Sequence, residues 1–220
     1  MYTVKLTNRA NRIIITCVIT RVDDMTLWKM CGEKNRRRVM ARKQTVLKDD
    51  LLKAAFDLAR DEGYQEVTAR KLASKAGCST QPIFRAYANM EEVLAEVIDE
   101  GAVFFEKYYD SYPKIQATPF LNLGLVYISF AEKESNLFKL LFMNEGKQAK
   151  SLYELLNGKN GNLVKEINKA KEEGCADPQG LFMRMWIFIH GIACMTIKGD
   201  YDLGITDTIQ MLKDAYNAFK

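Results

Sequence analysis

The chain has 220 residues, 48% of them apolar and 27% charged, with only 4 Pro and 13 Gly. That composition supports a packed core and argues against a disordered, collagen-like or linker-dominated chain. The net charge of +4 is unevenly spread: residues 1–39 hold nine Lys/Arg against three Asp/Glu, residues 40–90 nine against six, and residues 91–220 fourteen against nineteen. A basic front and an acidic back point to one part that meets a polyanion and one that does not.

Five Cys without a CxxC pair and a single His, His190, argue against a disulfide framework, a structural zinc site and a multi-His centre. They suit a reducing cytoplasm. No cofactor or metal is expected. The longest apolar run, 185–197, falls short of the ~20 residues of a bilayer span and contains His190. It reads as a buried helix, and no membrane partner is expected.

Residues 1–39 share little with the rest of the chain. The β-branched run 13–19 (IIITCVI) has no second strand to pair with and lacks signal-peptide flanks. The run Arg36-Arg37-Arg38 just before Met40 matches a purine-rich ribosome-binding sequence read in frame. The expectation is a native start at Met40, with 1–39 a misassigned or disordered extension. A peptide from residues 1–35 in the endogenous protein would overturn it.

From residue 45 onward the pattern is helical throughout, so the fold class is all-α. Leu47, Leu51, Ala54, Ala55 and Leu58 recur at helical steps, which predicts a helix over 46–62 stopped by Gly63. Thr68 is the N-cap of a second helix, 69–76, ended by Gly77. Ser79 is the N-cap of a third, running to about Tyr87 with Pro82 in its first turn. Asn89 caps a long helix, 90–109. Helical patterning continues over 119–133, 136–143 and 163–173. Asp177-Pro178 opens a helix to Lys198, and a last helix covers 205–219.

The short pair at 69–87 carries the chemistry. Two helices joined by a Gly-containing turn form the helix-turn-helix unit, whose second helix enters the DNA major groove. Small Ala73 and apolar Leu72, Ala76, Cys78 and Ile83 suit its packing. Thr80, Gln81 and Arg85 lie on the outward face. Arg pairs with guanine and Gln with adenine edges, and a helix N-terminus attracts phosphate. Arg70 and Lys71 are placed to hold the backbone, and Arg42 and Lys43 to reach phosphate or the minor groove.

The stretch 54–94 resembles the DNA-binding domain of the tetracycline-repressor (TetR) family, through Gly63, Val67-Thr68, Leu72-Ala73, Ala76-Gly77, Ser79, Ile83-Phe84, Tyr87, Asn89 and Leu94. The segments 137–142 and 186–191, with Trp186, His190 and Gly191, are similar to the effector domain of one subgroup. The resemblance implies a helix-turn-helix domain over 40–89 and an effector-binding and dimerisation domain over 90–220. It implies a homodimer on a near-palindromic double-stranded operator, most simply a repressor released by a small molecule. Its DNA contacts carry over to Thr68, Arg70, Ser79, Thr80, Gln81 and Arg85. Three positions depart: Phe84, itself one of the expected DNA contacts, stands where the family usually has Tyr and so lacks the hydroxyl, Ala86 where it has Tyr or His, and Met90 where it has Lys.

In the effector half, 185–197 is apolar almost all round, which requires burial on more than one side or a subunit interface. Candidate ligand-lining residues are Phe104, Phe105, Tyr108, Tyr127, Phe130, Phe142, Trp186 and His190, which would suit an apolar or cationic aromatic effector. No nucleophile, metal motif or phosphate loop indicates an enzyme, so no catalytic residue is expected. Two alternatives remain: a thiol-based redox sensor on the same fold, with Cys175 as the exposed thiol, and a helical adaptor without DNA affinity.

Overall fold

The computed structural model describes residues 47–220 except 145, 147 and 148. The expectations for residues 1–39, and for Arg42 and Lys43, lie outside the described residues. The rest falls in one unit, Val46–Lys220. It has ten helices and no strand among the described residues: α1 (Lys48–Glu62), α2 (Ala69–Lys75), α3 (Ile83–Ala86), α4 (Met90–Ser111), α5 (Leu121–Lys133), α6 (Ser135–Phe142), α7 (Leu152–Asn157), α8 (Asn162–Glu172), α9 (Pro178–Lys198) and α10 (Ile205–Phe219).

The helix ends reflect local chemistry. Thr68 Oγ1 accepts the Lys71 N–H at 3.3 Å, and Asn89 Oδ1 accepts the Glu92 N–H at 2.9 Å. Asp177 Oδ1 accepts the Gly180 N–H at 2.9 Å, with Pro178 opening α9. After α2 the Cys78 N–H reaches back to Ala73 O at 2.9 Å, closing a Schellman turn that needs the left-handed Gly77 (φ 66°).

The third helix differs from expectation. Ser79 does not cap it; residues 80–82 form a turn and α3 begins at Ile83 with Pro82 at its cap. Pro82 has no N–H to donate, so the first N–H to close back onto Thr80 O is that of Ile83. Helix α7 is an addition to the expected set. Its capping box is written in the sequence: Ser151 Oγ accepts the Glu154 N–H at 3.2 Å and the Glu154 carboxylate accepts the Ser151 N–H at 2.8 Å.

The α1–α3 head packs on a bundle built around α5. Every residue from Leu121 to Ala131 is buried. Its two polar members find partners: Asn122 exchanges hydrogen bonds with the Gln116 backbone (3.0 and 2.7 Å), and Ser129 Oγ meets Tyr108 Oη at 2.8 Å. Helix α4, ~33 Å long, joins head to bundle through a buried stripe at four-residue steps: Val93, Val97, Gly101, Phe105 and Tyr109.

Helix α9 is long and apolar enough to cross a bilayer by length and composition. Here it buries Leu181, Phe182, Met185, Trp186, Ile189, Ile192 and Ala193 against its neighbours. The α5–α9 contact depends on Gly124: a Cβ there would lie 2.8 Å from Ile189 Cδ1 and 3.1 Å from Cγ1. Ile189 is itself buried and has little room to withdraw. Gly124→Ala should therefore cost about 1–3 kcal/mol by overpacking. Urea unfolding checks this, and an unchanged midpoint would show that Ile189 repacks freely.

Candidate functional site

The head presents one outward face. Ile83 and Tyr87 are buried, fixing α3 against Leu51, Leu58 and Leu72 of the shared core. Tyr87 Oη donates to Glu96 Oε2 at 2.9 Å, and Lys48 pairs with the same carboxylate, tying α1, α3 and α4 together. The opposite side of α3 and its preceding turn exposes Ser79, Thr80, Gln81, Phe84 and Arg85. Thr68 and Arg70, at the start of α2, are exposed as well.

Not every basic residue of the head is free. Lys71 Nζ lies 2.6 Å from Glu62 and 2.7 Å from Glu66, and those hydrogen bonds raise its pKa. Lys75 pairs with Asp61 at 2.9 Å. Among the described residues Arg70 and Arg85 make no ion pair. They are the better anion partners, while Lys71 already serves two carboxylates.

The head is also clamped to the bundle. Arg60, at the end of α1, forks onto Glu134 between α5 and α6, with its Nε 2.7 Å from Oε2. Its guanidinium lies 4.8 Å from the centre of the Phe104 ring. Asn136 Nδ2 donates to the carbonyls of Arg60 (2.9 Å) and Asp61 (3.2 Å), satisfying the C-terminal end of α1.

Four of the eight expected effector residues meet in one place. Tyr127, Phe142, Trp186 and His190, with Leu141, Asn144, Lys150 and Leu155, line a cavity of about 230 Å³. Phe104, Phe105, Tyr108 and Phe130 are not in its wall. They form the aromatic seam between α4 and α5, with Phe105 and Tyr108 edge-on to Phe130 at 5.0 and 5.3 Å and Phe104 against Phe56 at 5.8 Å. Leu141 lies in the 137–142 segment similar to an effector domain, whereas Asn144, Ala149, Lys150, Leu152 and Leu155 lie outside the expected set. The capping box of α7 was the signal that would have placed Leu155. A second cavity, about 370 Å³, lies between α5, α9 and α10 and is lined by Ser129, Thr196, Tyr201 and Thr208 among others.

His190 sits at the wall of the first cavity. Tyr127 Oη lies 2.9 Å from its Nδ1, and Cys194 Sγ 3.5 Å from its Nε2. Burial lowers the His190 pKa below its ordinary 6.5 and raises that of the Tyr127 hydroxyl. The folded chain thus takes up a proton at His190 less readily than the unfolded chain does. Stability present above about pH 6.5 is lost as pH falls below it. Urea midpoints should decline from about pH 8 to about pH 5, and less steeply in His190→Gln. Equal slopes in both would refute this.

Cys175 corrects the expectation of an exposed thiol: it is only 6% exposed, because its N–H folds back onto Ala170 O at 3.0 Å after Gly174 and turns the side chain inward. Among the described residues no three His, Cys, Asp or Glu side chains cluster to hold a metal ion.

A helix-turn-helix head with an outward polar face, carried on a helical bundle, is an arrangement that DNA-binding regulators use. Residues 51–97 match the family described as bacterial regulatory proteins, tetR family. No curated protein matches the chain. The fold is similar to that of a TetR-family transcriptional regulator from Vibrio parahaemolyticus, with 19% identity, a TM-score of 0.58, and 78% of this chain and 97% of that one covered. A TetR-family regulator from Marinobacter aquaeolei VT8 is similar at 16% identity and a TM-score of 0.56, over 77% and 93%. The chain therefore carries a tetR-family DNA-binding domain on the TetR-type helical fold.

Proposed function

We propose that this protein is a ligand-responsive transcriptional regulator, acting in the cytoplasm as a repressor, that binds a near-palindromic operator as a homodimer. It is a binding protein rather than a catalyst. The observation that carries the reading is the outward face of α3 and its turn. Thr80, Gln81 and Arg85 are exposed there together, while Ile83 and Tyr87 anchor the helix from behind. Arg85 and Gln81 have the chemistry to read guanine and adenine edges. Thr68, Arg70 and Ser79 would hold phosphates on either side, and Arg42 and Lys43 remain proposed backbone contacts. Homodimerisation is supported by an apolar stripe on α9, Met183, Ile187 and Met195, exposed at four-residue steps around Gly191.

The cavity beside His190 is the proposed effector site. At about 230 Å³ it suits a small, largely apolar or aromatic molecule. Helix α6 spans the distance from that cavity to the head. Leu141 and Phe142 at one end line the cavity, and Asn136 at the other holds the end of α1. A ligand that displaces Phe142 would act on the head through this helix, and needs a preference of ~1–3 kcal/mol between states to matter.

The test is binding of the full chain, by fluorescence anisotropy at two salt concentrations, to the duplex upstream of its own gene and to duplexes selected from a random pool. Tight, salt-sensitive binding that depends on Arg85 supports the reading. Absence of any preferred duplex would overturn it in favour of the adaptor.

A further inference from the structure

Resting on the DNA-reading role proposed above, we infer that Phe84 reads a thymine methyl group in each operator half-site. The Phe84 N–H donates to Thr80 O at 3.3 Å and the Arg85 N–H to Gln81 O at 3.2 Å. Thr80 and Phe84 therefore stack one turn apart, as do Gln81 and Arg85, and the four share the outward side of the head. Phe84 is 52% exposed there, among polar neighbours. Among the described residues its ring pairs with no other aromatic ring, and its own neighbours on the reading face are the hydrogen-bonding groups of Thr80, Gln81 and Arg85.

A phenyl ring offers no donor or acceptor to a phosphate or to a hydrogen-bonding base edge. The apolar group that the major groove displays on a base pair is the thymine 5-methyl, and Phe is one of the side chains that matches it. Phe84 stands between Gln81, suited to adenine, and Arg85, suited to guanine. The half-site should thus contain a thymine whose methyl, rather than its O4, carries the discrimination.

The experiment uses the full chain and a duplex selected from a random pool. Each thymine is replaced in turn, in both half-sites, by deoxyuridine, which removes the methyl and leaves the pairing unchanged. At one thymine position the wild-type protein should lose about fourfold in affinity per half-site, the effect of one buried methyl-sized group. Phe84→Ala should bind both duplexes equally, while Phe84→Tyr, which keeps the ring, should retain the methyl dependence. Circular dichroism confirms that each variant is folded. Selected duplexes whose binding is indifferent to every thymine methyl, or a methyl effect undiminished in Phe84→Ala, would overturn the inference and leave the DNA-binding reading intact. Failure to select any duplex would overturn both.

Discussion

Ile187→Glu is expected to convert the proposed homodimer to a monomer and to weaken operator binding by at least about 100-fold. Ile187 is 67% exposed, on the face of α9 that no other described part of the chain covers. Met183 (42%) and Met195 (46%) extend the same row, one turn before and two turns after it. Gly191 between them leaves the backbone open, with no atom within 4 Å of where its Cβ would stand. Beside this row lies a cavity of about 600 Å³ lined by Phe188, Ile192, Leu203 and Met211 among others. A large apolar patch of this kind is costly in water and marks an interaction surface.

In a two-fold dimer every substitution appears twice on one self-complementary patch. Ile187→Glu would then put two carboxylates into an interface that offers them no partner, and a buried unpaired charge costs several kcal/mol. The monomer's own packing should survive, because Ile187 contributes little to its core. The operator effect arises from linkage: two heads on one dimer bind with an effective concentration that separate monomers lack. Sedimentation velocity and anisotropy measure the two halves of the prediction. A variant that remains dimeric would place the interface elsewhere, and a monomeric wild type would remove the basis for palindromic binding.

Where the physics is local, the sequence already contained the structure. Thr68, Asn89 and Asp177 are caps whose partners lie three residues away, so their roles need no knowledge of the fold. The outward side of α3 was legible for a related reason. Ile83 and Tyr87 are apolar at a four-residue step, which leaves Thr80, Gln81 and Arg85 outside. What escaped depends on tertiary neighbours. Helix α5 reads as ordinary apolar sequence, and only the surrounding helices make it the buried centre, with Gly124 sized to Ile189. Ring type points to effector residues, yet rings at Phe104, Phe105, Tyr108 and Phe130 pack against one another as readily as against a ligand. Cys175 sits after Gly174 in a loop, and loop position alone does not reveal that the turn points inward. Lys71 has the charge of a phosphate contact, but the turn between α1 and α2 brings Glu62 and Glu66 beside it.

Arg85→Ala should weaken operator binding by about 1–3 kcal/mol per half-site, hence about 2–6 kcal/mol for a dimer whose two half-sites contribute independently. Two roles for Arg85 are separable by what else changes. If it pairs with guanine O6 and N7, the loss falls on duplexes that carry the guanine, and other duplexes bind Arg85→Ala and the wild type nearly alike. If it only holds phosphate, the loss is uniform across sequences and the salt slope falls by about one charge per half-site. Arg70→Ala supplies the comparison on the same domain. Arg70 is exposed near the start of α2 rather than on α3, and should show the uniform, salt-linked loss. Arg85 projects from the last turn of α3, beyond Gln81 and beside Phe84, where a helix lying in the groove brings side chains to base edges. Arg85→Lys sharpens the distinction, because a single ammonium keeps the charge but lacks the planar fork that grips two acceptors at once. A guanine reader should therefore lose much of its discrimination in Arg85→Lys while retaining its salt dependence. A phosphate contact should barely notice the change, and that result would move the reading of sequence to Gln81 and Phe84.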